Sequence, residues 1–208
     1  MKIFFTVLIT VLIICSTSYA QIQIGPKAGL NIANIGGDDS DFLGESLDSR
    51  TGFSGGIFFM YQFNKFFAIQ PEAYYSMKGA TINIMGVDIT LEFDYIEVPL
   101  LLKLIIPVEG SNIRPSIFAG PSVGFNTTAK ISGEGNGQTV EQDLKDDTKS
   151  TDFSLAFGGG IGFMVGANEL GFDVRYILGL STIDDSSDAA DLKNNVINFN
   201  IYFGFAVQ

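Results

Sequence analysis

Histidine is absent from this 208-residue chain, and its one cysteine is Cys15. Those gaps remove the usual neutral-pH general base and the usual thiolate nucleophile, so only carboxylate chemistry remains. The residues best placed to act are Lys27, Glu72, Lys78, Glu97, Lys103, Arg114, Asp173 and Arg175. They are scattered along the sequence and match no catalytic motif, and opposite charges that neutralise one another account for them without a reaction. The chain is therefore expected to be no enzyme, with no catalytic, cofactor-binding or metal-binding residues. The glycine cluster FGGGIGFMVG, 157 to 166, has no G-x-G-x-x-G frame and no Gly-Lys-Ser ending, so it cannot cradle a phosphate. The acidic runs DDSD at 38 to 41 and DDSSDAAD at 184 to 191 invite Ca²⁺. In the first, Asp39, Asp41 and Gly44 fit an EF-hand loop, yet Arg50 stands where the closing Glu belongs. Solvated loops explain both runs, and with 23 acidic residues against 12 basic ones no basic stripe exists for nucleic acid.

The elements that carry these side chains announce themselves by period. Alternation of large apolar with small or polar residues runs through most of the chain, with no helical stripe. Near the end, Ile197, Phe199, Ile201, Phe203, Phe205 and Val207 share one face, and Asn198, Asn200, Tyr202 and Gly204 the other. Before it, Leu170, Phe172, Val174, Tyr176 and Leu178 oppose Gly171, Asp173, Arg175 and Gly179. Eight strands are predicted, near 22–33, 51–63, 66–79, 89–106, 113–128, 152–165, 169–181 and 194–207. Each is long enough to cross a bilayer at a tilt, for which roughly 9 to 11 residues suffice.

The two faces differ in a telling way. Charged residues make up only 17% of the chain, against about a quarter in soluble domains. Where the outward face is set by the large apolar residues, Lys27, Glu72, Lys78, Arg114, Asp152, Asp173 and Arg175 fall on the narrow, glycine-rich side. A water-soluble barrel would carry its charges outside; here they suit the crowded interior of a small barrel surrounded by lipid. The fold class expected is all-β, an eight-stranded antiparallel up-and-down transmembrane β-barrel. Long polar connections near 34–50, 80–88, 129–151 and 182–193 alternate with short ones near 64–65, 107–112 and 166–168. That is the outer-membrane pattern of extracellular loops and periplasmic turns. Interfacial aromatic girdles are expected from Tyr61, Phe63, Phe67, Phe163, Phe172 and Phe205 at one end. At the other end stand Phe53, Tyr75, Phe93, Tyr95, Phe125, Phe153 and Phe199.

Residues 1–20 read as a signal peptide: Lys2, an apolar core from Ile3 to Ile14, and Ser18-Tyr19-Ala20 before Gln21. That core is too short to span a bilayer, and Ile14 before Cys15 lacks the small side chain of a lipid-anchor site. Residues 21–208 then form one barrel domain, free of cysteine, in the bacterial outer membrane.

DYIEVPLLLKL, 94 to 104, breaks the pattern. Upstream, Ile89, Leu91, Phe93 and Tyr95 put the apolar face on odd positions; downstream, Ile96, Val98, Leu100, Leu102 and Leu104 put it on even ones. A β-bulge at Tyr95-Ile96 would let both halves face lipid while Glu97 and Lys103 turn inward. Pro99 then donates no ladder bond and should lie at a bulge or an unpaired position.

The same stretch, Tyr95-Ile96-Glu97-Val98-Pro99-Leu100-Leu101-Leu102-Lys103, resembles the PorT-like outer-membrane β-barrel proteins of Gram-negative bacteria. So do Gly25-Pro26-Lys27-Ala28-Gly29-Leu30-Asn31, Gln70-Pro71-Glu72 with Tyr75-Ser76-Met77-Lys78-Gly79, Gly120-Pro121 with Gly124, and Arg175-Tyr176 with Gly179-Leu180. The resemblance implies an eight-stranded outer-membrane barrel. It does not carry export activity to this chain, because the shared residues are structural in type. Gln208 departs from the terminal aromatic of many such barrels, which leaves Phe205 as its equivalent. The function expected is that of a small barrel with a side-chain-filled interior and acidic extracellular loops, acting in surface interaction, envelope integrity or as a secretion accessory. Its partners would be outer-membrane lipid and other envelope or secretion proteins, with the barrel itself monomeric. The competing assignment is a soluble lipocalin-like barrel, periplasmic or secreted, that binds a small apolar ligand.

Overall fold

The computed structural model describes residues 21–37, 47–84, 87–135, 138–186 and 190–207; the expected leader and the DDSD run lie outside them. Strong alternation produces nine strands: β1 (Gln21–Gly36), β2 (Asp48–Gln62), β3 (Phe67–Ile84), β4 (Val87–Ile105), β5 (Ile113–Gly135), β6 (Gln138–Asp143), β7 (Thr151–Val165), β8 (Asn168–Gly179) and β9 (Lys193–Val207). Eight close a ring in the order β1-β2-β3-β4-β5-β7-β8-β9, sealed by pairing of β9 with β1, and all neighbours are antiparallel. Closure of the ring removes the sheet edges of these eight strands within the barrel wall. The fold is thus the expected eight-stranded antiparallel barrel, with β6 an extra short strand paired only to the far end of β5.

Exposed Leu30, Ile57, Leu100, Leu102, Ile117, Phe157, Phe172, Val174, Phe199 and Ile201 cover the outside of the ring. A water-soluble barrel would hide such a surface. Inside, Gln23, Lys27, Asn31, Gln70, Glu72, Glu97, Asp173, Arg175, Asn198 and Asn200 are buried.

Two regions expected as polar loops are strand instead. β3 and β4 stay paired out to Ile84↔Val87, and β5 runs on to Gly135 before returning through β6. Their polar residues suggest coil only if every outward face must be greasy. Beyond the membrane the outward face meets water, so a strand there can be polar outside.

That change of solvent also resolves residues 94–104. β4 keeps one register with β3 from Phe67↔Leu104 to Ile84↔Val87, so its faces never exchange. The irregularity lies on the other side, between Asp94↔Thr128 and Tyr95↔Asn126, where the additional residue is Thr127 of β5. Its hydroxyl donates to the Asp94 carbonyl at 3.0 Å. Contrary to expectation, Phe93 and Tyr95 are buried within the barrel, as members of an apolar cluster with Ile35, Ala80, Ala129 and Ile183. They are no part of an aromatic girdle. On the outer side at this level stands a polar group: Arg50 meets Glu92 at 3.2 Å and Asp94 at 3.4 Å, and the Tyr75 hydroxyl donates to Asp94 at 2.6 Å. Through the membrane the wall is apolar outside, with the ion-paired residues and small apolar clusters around Leu101 and Phe58 inside; above it the outer side is polar and the inner side apolar. Tyr95-Ile96 marks the crossing.

Pro99 lies inward and buried. The β3–β4 ladder pauses between Pro71↔Leu100 and Tyr74↔Glu97 without a change of register, as expected where prolines withhold N–H donors.

At the long-loop end, the segment after β6 and the segment after β8 close over the mouth. Lys149 N–H donates to Ile183 O (2.8 Å), Asp185 N–H to Asp147 O (2.9 Å) and Ile183 N–H to Leu192 O (2.8 Å). Asp184 pins the second segment by accepting N–H bonds from Ser186 at 2.9 Å and Ala190 at 2.8 Å. Partial burial pushes its carboxyl up, but these backbone donors outweigh burial and hold it below the ordinary range. A depressed folded value stabilises the folded loop above the unfolded value of about 3.9, and that contribution fades as pH falls through the folded value. The Ala190 amide resonance should therefore titrate with a midpoint below about 3.9. Asp184→Ala should abolish the transition.

Candidate functional site

The barrel interior is where sequence alternation sends the chemistry-bearing residues. Lys27 comes from β1, Glu72 and Lys78 from β3, Glu97 and Lys103 from β4, Arg114 from β5, and Asp173 and Arg175 from β8. Four of them meet. Arg175 grips Glu72 bidentately, Nη1 to Oε2 at 2.8 Å and Nη2 to Oε1 at 3.0 Å. Lys27 Nζ bridges Glu72 at 3.2 Å and Asp173 at 2.8 Å, and Arg175 Nε reaches Asp173 at 3.3 Å. β3 and β8 stand diametrically opposite in the ring, so this cluster crosses the full lumen. Gln70 and Asn200 donate to its carboxylates at 2.7 and 2.8 Å, and the guanidinium lies 5.2 Å from the Phe118 ring centroid. Two cations and two anions cancel, and the added amide donors are what a buried ion set needs to offset desolvation.

The other predicted residues form separate groups. Lys78 pairs closely with Glu97 and lies 3.5 Å from Asp152, while Ser122 donates to Glu97 and Asn194 to Asp152. Arg114 pairs with Glu169 at 3.0 Å and donates to Gln62. Lys103 is not brought to a carboxylate: among the described residues its ammonium contacts Gln70 and the Tyr202 hydroxyl, each at 3.4 Å, and lies 5.1 Å from the Tyr202 ring centroid. Asp152, placed on the inner face by its phase but outside the set of eight, and Glu169, which the sequence reading missed, complete the groups. Both carry the alternation signal, Asp152 opposite outward Phe153 and Glu169 in phase with Asp173. The asparagines and glutamines that complete the bonding look, in sequence, like any polar strand residue.

Glycines make room for these side chains. A Cβ on Gly158 of β7 would lie 2.2 Å from Val174 O and 3.0 Å from Arg175 Cβ. Gly158→Ala should destabilise the barrel by about 1–3 kcal/mol through overpacking, read from urea unfolding in lipid vesicles. Gly133→Ala, where nothing lies within 4 Å, should stay within about 0.5 kcal/mol.

Among the described residues no group of three His, Cys, Asp or Glu side chains could hold a metal ion, and the buried charges are paired or hydrogen-bonded within the interior.

Known structures share the architecture. OprG from Pseudomonas aeruginosa is 16% identical and matches with a TM-score of 0.52, over 93% of this chain and 99% of that one. Neisserial surface protein A is 13% identical with a TM-score of 0.50, over 88% of this chain and 97% of that one. At such identities the likeness concerns fold alone. No curated protein matches the chain in sequence. The model of the outer membrane protein beta-barrel domain matches residues 17–185, most of the chain. With a closed eight-stranded ring, lipid-facing outside and ion-paired interior already in place, the chain belongs to the outer membrane protein beta-barrel domain family.

Proposed function

We propose that this outer-membrane protein is a non-enzymatic barrel, closed to diffusion by its own side chains, that works through its extracellular end in surface interaction, envelope integrity or as an accessory to secretion. The observation that carries the first part is the bidentate Arg175–Glu72 bridge between opposed strands. An ion crossing the lumen would have to separate charges that are buried and mutually satisfied. Eight strands leave an interior that side chains can fill, and a ring that closes on itself needs no second copy, which supports a monomer. The PorT-like residues, Tyr95 to Lys103 above all, support placing the chain within that group, and the acidic outer segments offer a surface for envelope or secretion partners.

The pure protein reconstituted in planar bilayers should give no steady, ion-selective channels. Reproducible unitary conductance would overturn the closed-barrel reading. Comparison of surface and secreted proteins with and without the gene would test the role at the extracellular end.

A further inference from the structure

The inverted wall above Tyr95 encloses a space that the ion-paired interior does not use. Ile35, Ile82, Ile89, Leu91, Phe93 and Ile131 of the strand ends form its sides, and Leu144, Ile183 and Leu192 of the mouth segments complete it. The cavity measures about 430 Å³, within the span of roughly 300–1,000 Å³ typical of small-molecule sites. An apolar cavity of about 150 Å³ already stays dry and takes up benzene, so water is a poor occupant of this larger one. Among the described residues its polar lining is confined to Asp147, Thr148 and Asp184. The mouth segments that close over it are fixed to one another by the backbone bonds described above, with Thr148 and Asp184 joined as a β-bridge. The floor is packed: Phe93, Tyr95, Ala80 and Ala129 form one cluster, and below it Lys78 lies 4.8 Å from the Tyr95 ring centroid.

We infer that this mouth cavity is a binding site for an elongated apolar small molecule whose polar end is uncharged or cationic. The aliphatic walls take the hydrocarbon body, and the lack of converging polar groups excludes sugars, nucleotides and peptides as the buried part. The carboxylates at Asp147 and Asp184 set the sign of the polar end, since an anionic head beside them would meet like charge. Fatty carboxylates are thus discriminated against and alcohols or amines accepted. The site ends at a plugged floor, so it holds its ligand at the surface and does not conduct it through the barrel. The inference goes beyond the closed-barrel reading: that reading fails by conductance, this one by binding.

The full-length protein in phosphatidylcholine nanodiscs, carbon-13 labelled at isoleucine methyls, tests it with 1-decanol, decylammonium and decanoate as probes. Ile89, Ile131 and Ile183 report on the cavity, and lipid-facing Ile57 and Ile117 report on partition into lipid. Saturable shifts of the cavity methyls at one equivalent of decanol or decylammonium are expected, with the lipid-facing methyls changing only linearly. Decanoate should bind at least about tenfold more weakly. Leu91→Trp should fill the space and abolish saturation; since the chain has no tryptophan, its emission also reports whether the new ring is buried. Ile131→Phe serves the same purpose if the first variant fails to fold. Cavity methyls that move only in parallel with Ile57 and Ile117, or saturation by decanoate at the same concentration as decanol, would overturn the assignment.

Discussion

Replacing Arg175 by methionine should cost the barrel about 3–5 kcal/mol, the largest effect expected of any single substitution here. The substitution keeps most of the side-chain volume and removes the charge, so the loss reports electrostatics and hydrogen bonding more than a cavity. Glu72 would keep Lys27, but that ammonium is shared with Asp173 at 2.8 Å, so two buried carboxylates would be left with one cation. Water cannot enter to solvate the surplus, because the residues around it are themselves buried. Glu72→Gln leaves the opposite imbalance, two cations against Asp173. The double variant removes one charge of each sign and leaves Lys27 with Asp173 as a balanced pair. It should therefore be less destabilised than the sum of the singles by roughly 0.5–3 kcal/mol. Unfolding by urea in lipid vesicles, followed by the heat-dependent gel shift of the folded barrel, measures all three. Strict additivity would mean that the four residues do not act as one cluster.

How far the interior was legible depended on what each residue's face could tell. Alternation needs only local sequence, and it put Lys27, Glu72, Asp173 and Arg175 on inward faces because any alternative would aim them at lipid. Which inward charges touch is a matter of ring closure and stagger. Nothing between Glu72 and Arg175 in sequence says that β3 and β8 end up diametrically opposed, and nothing around Lys103 says that it finds Tyr202 and Gln70 instead of a carboxylate. The strand ends were harder still. The rule of an apolar outside assigns Ile89, Leu91 and Phe93 to lipid, but it stops at the membrane, past which the outside is water. The sequence signal there was sound, a real exchange of apolar parity at Tyr95-Ile96, but a bulge in β4 and a change of solvent produce the same pattern. Only pairing to both neighbours separates them, since β3 and β4 stay in register throughout and the extra residue belongs to β5.

Two lysine substitutions on one face of β4 test that distinction directly. Leu100 and Thr90 both point outward, an even number of residues apart on a strand without a bulge of its own. The outward residues from Ile96 to Ile106 are apolar, and such a span at ordinary strand rise and tilt covers about 25 Å, the height of the lipid-facing band of outer-membrane barrels. Leu100 lies near the middle of that band and is 47% exposed, so Leu100→Lys places an ammonium in hydrocarbon and should cost roughly 2–4 kcal/mol. Thr90 shares its side of the sheet with Glu92 and Asp94, above the band, so Thr90→Lys should change stability by less than about 0.5 kcal/mol. If the expected bulge existed and Ile89, Leu91 and Phe93 faced lipid, Thr90 would point into the barrel and its lysine would be buried and costly. Similar penalties at the two positions would therefore return those residues to the membrane and remove the inverted wall. A large penalty at Leu100 alone places the outer boundary of the bilayer between Thr90 and Leu100, the interval that holds the exchange of parity at Tyr95-Ile96.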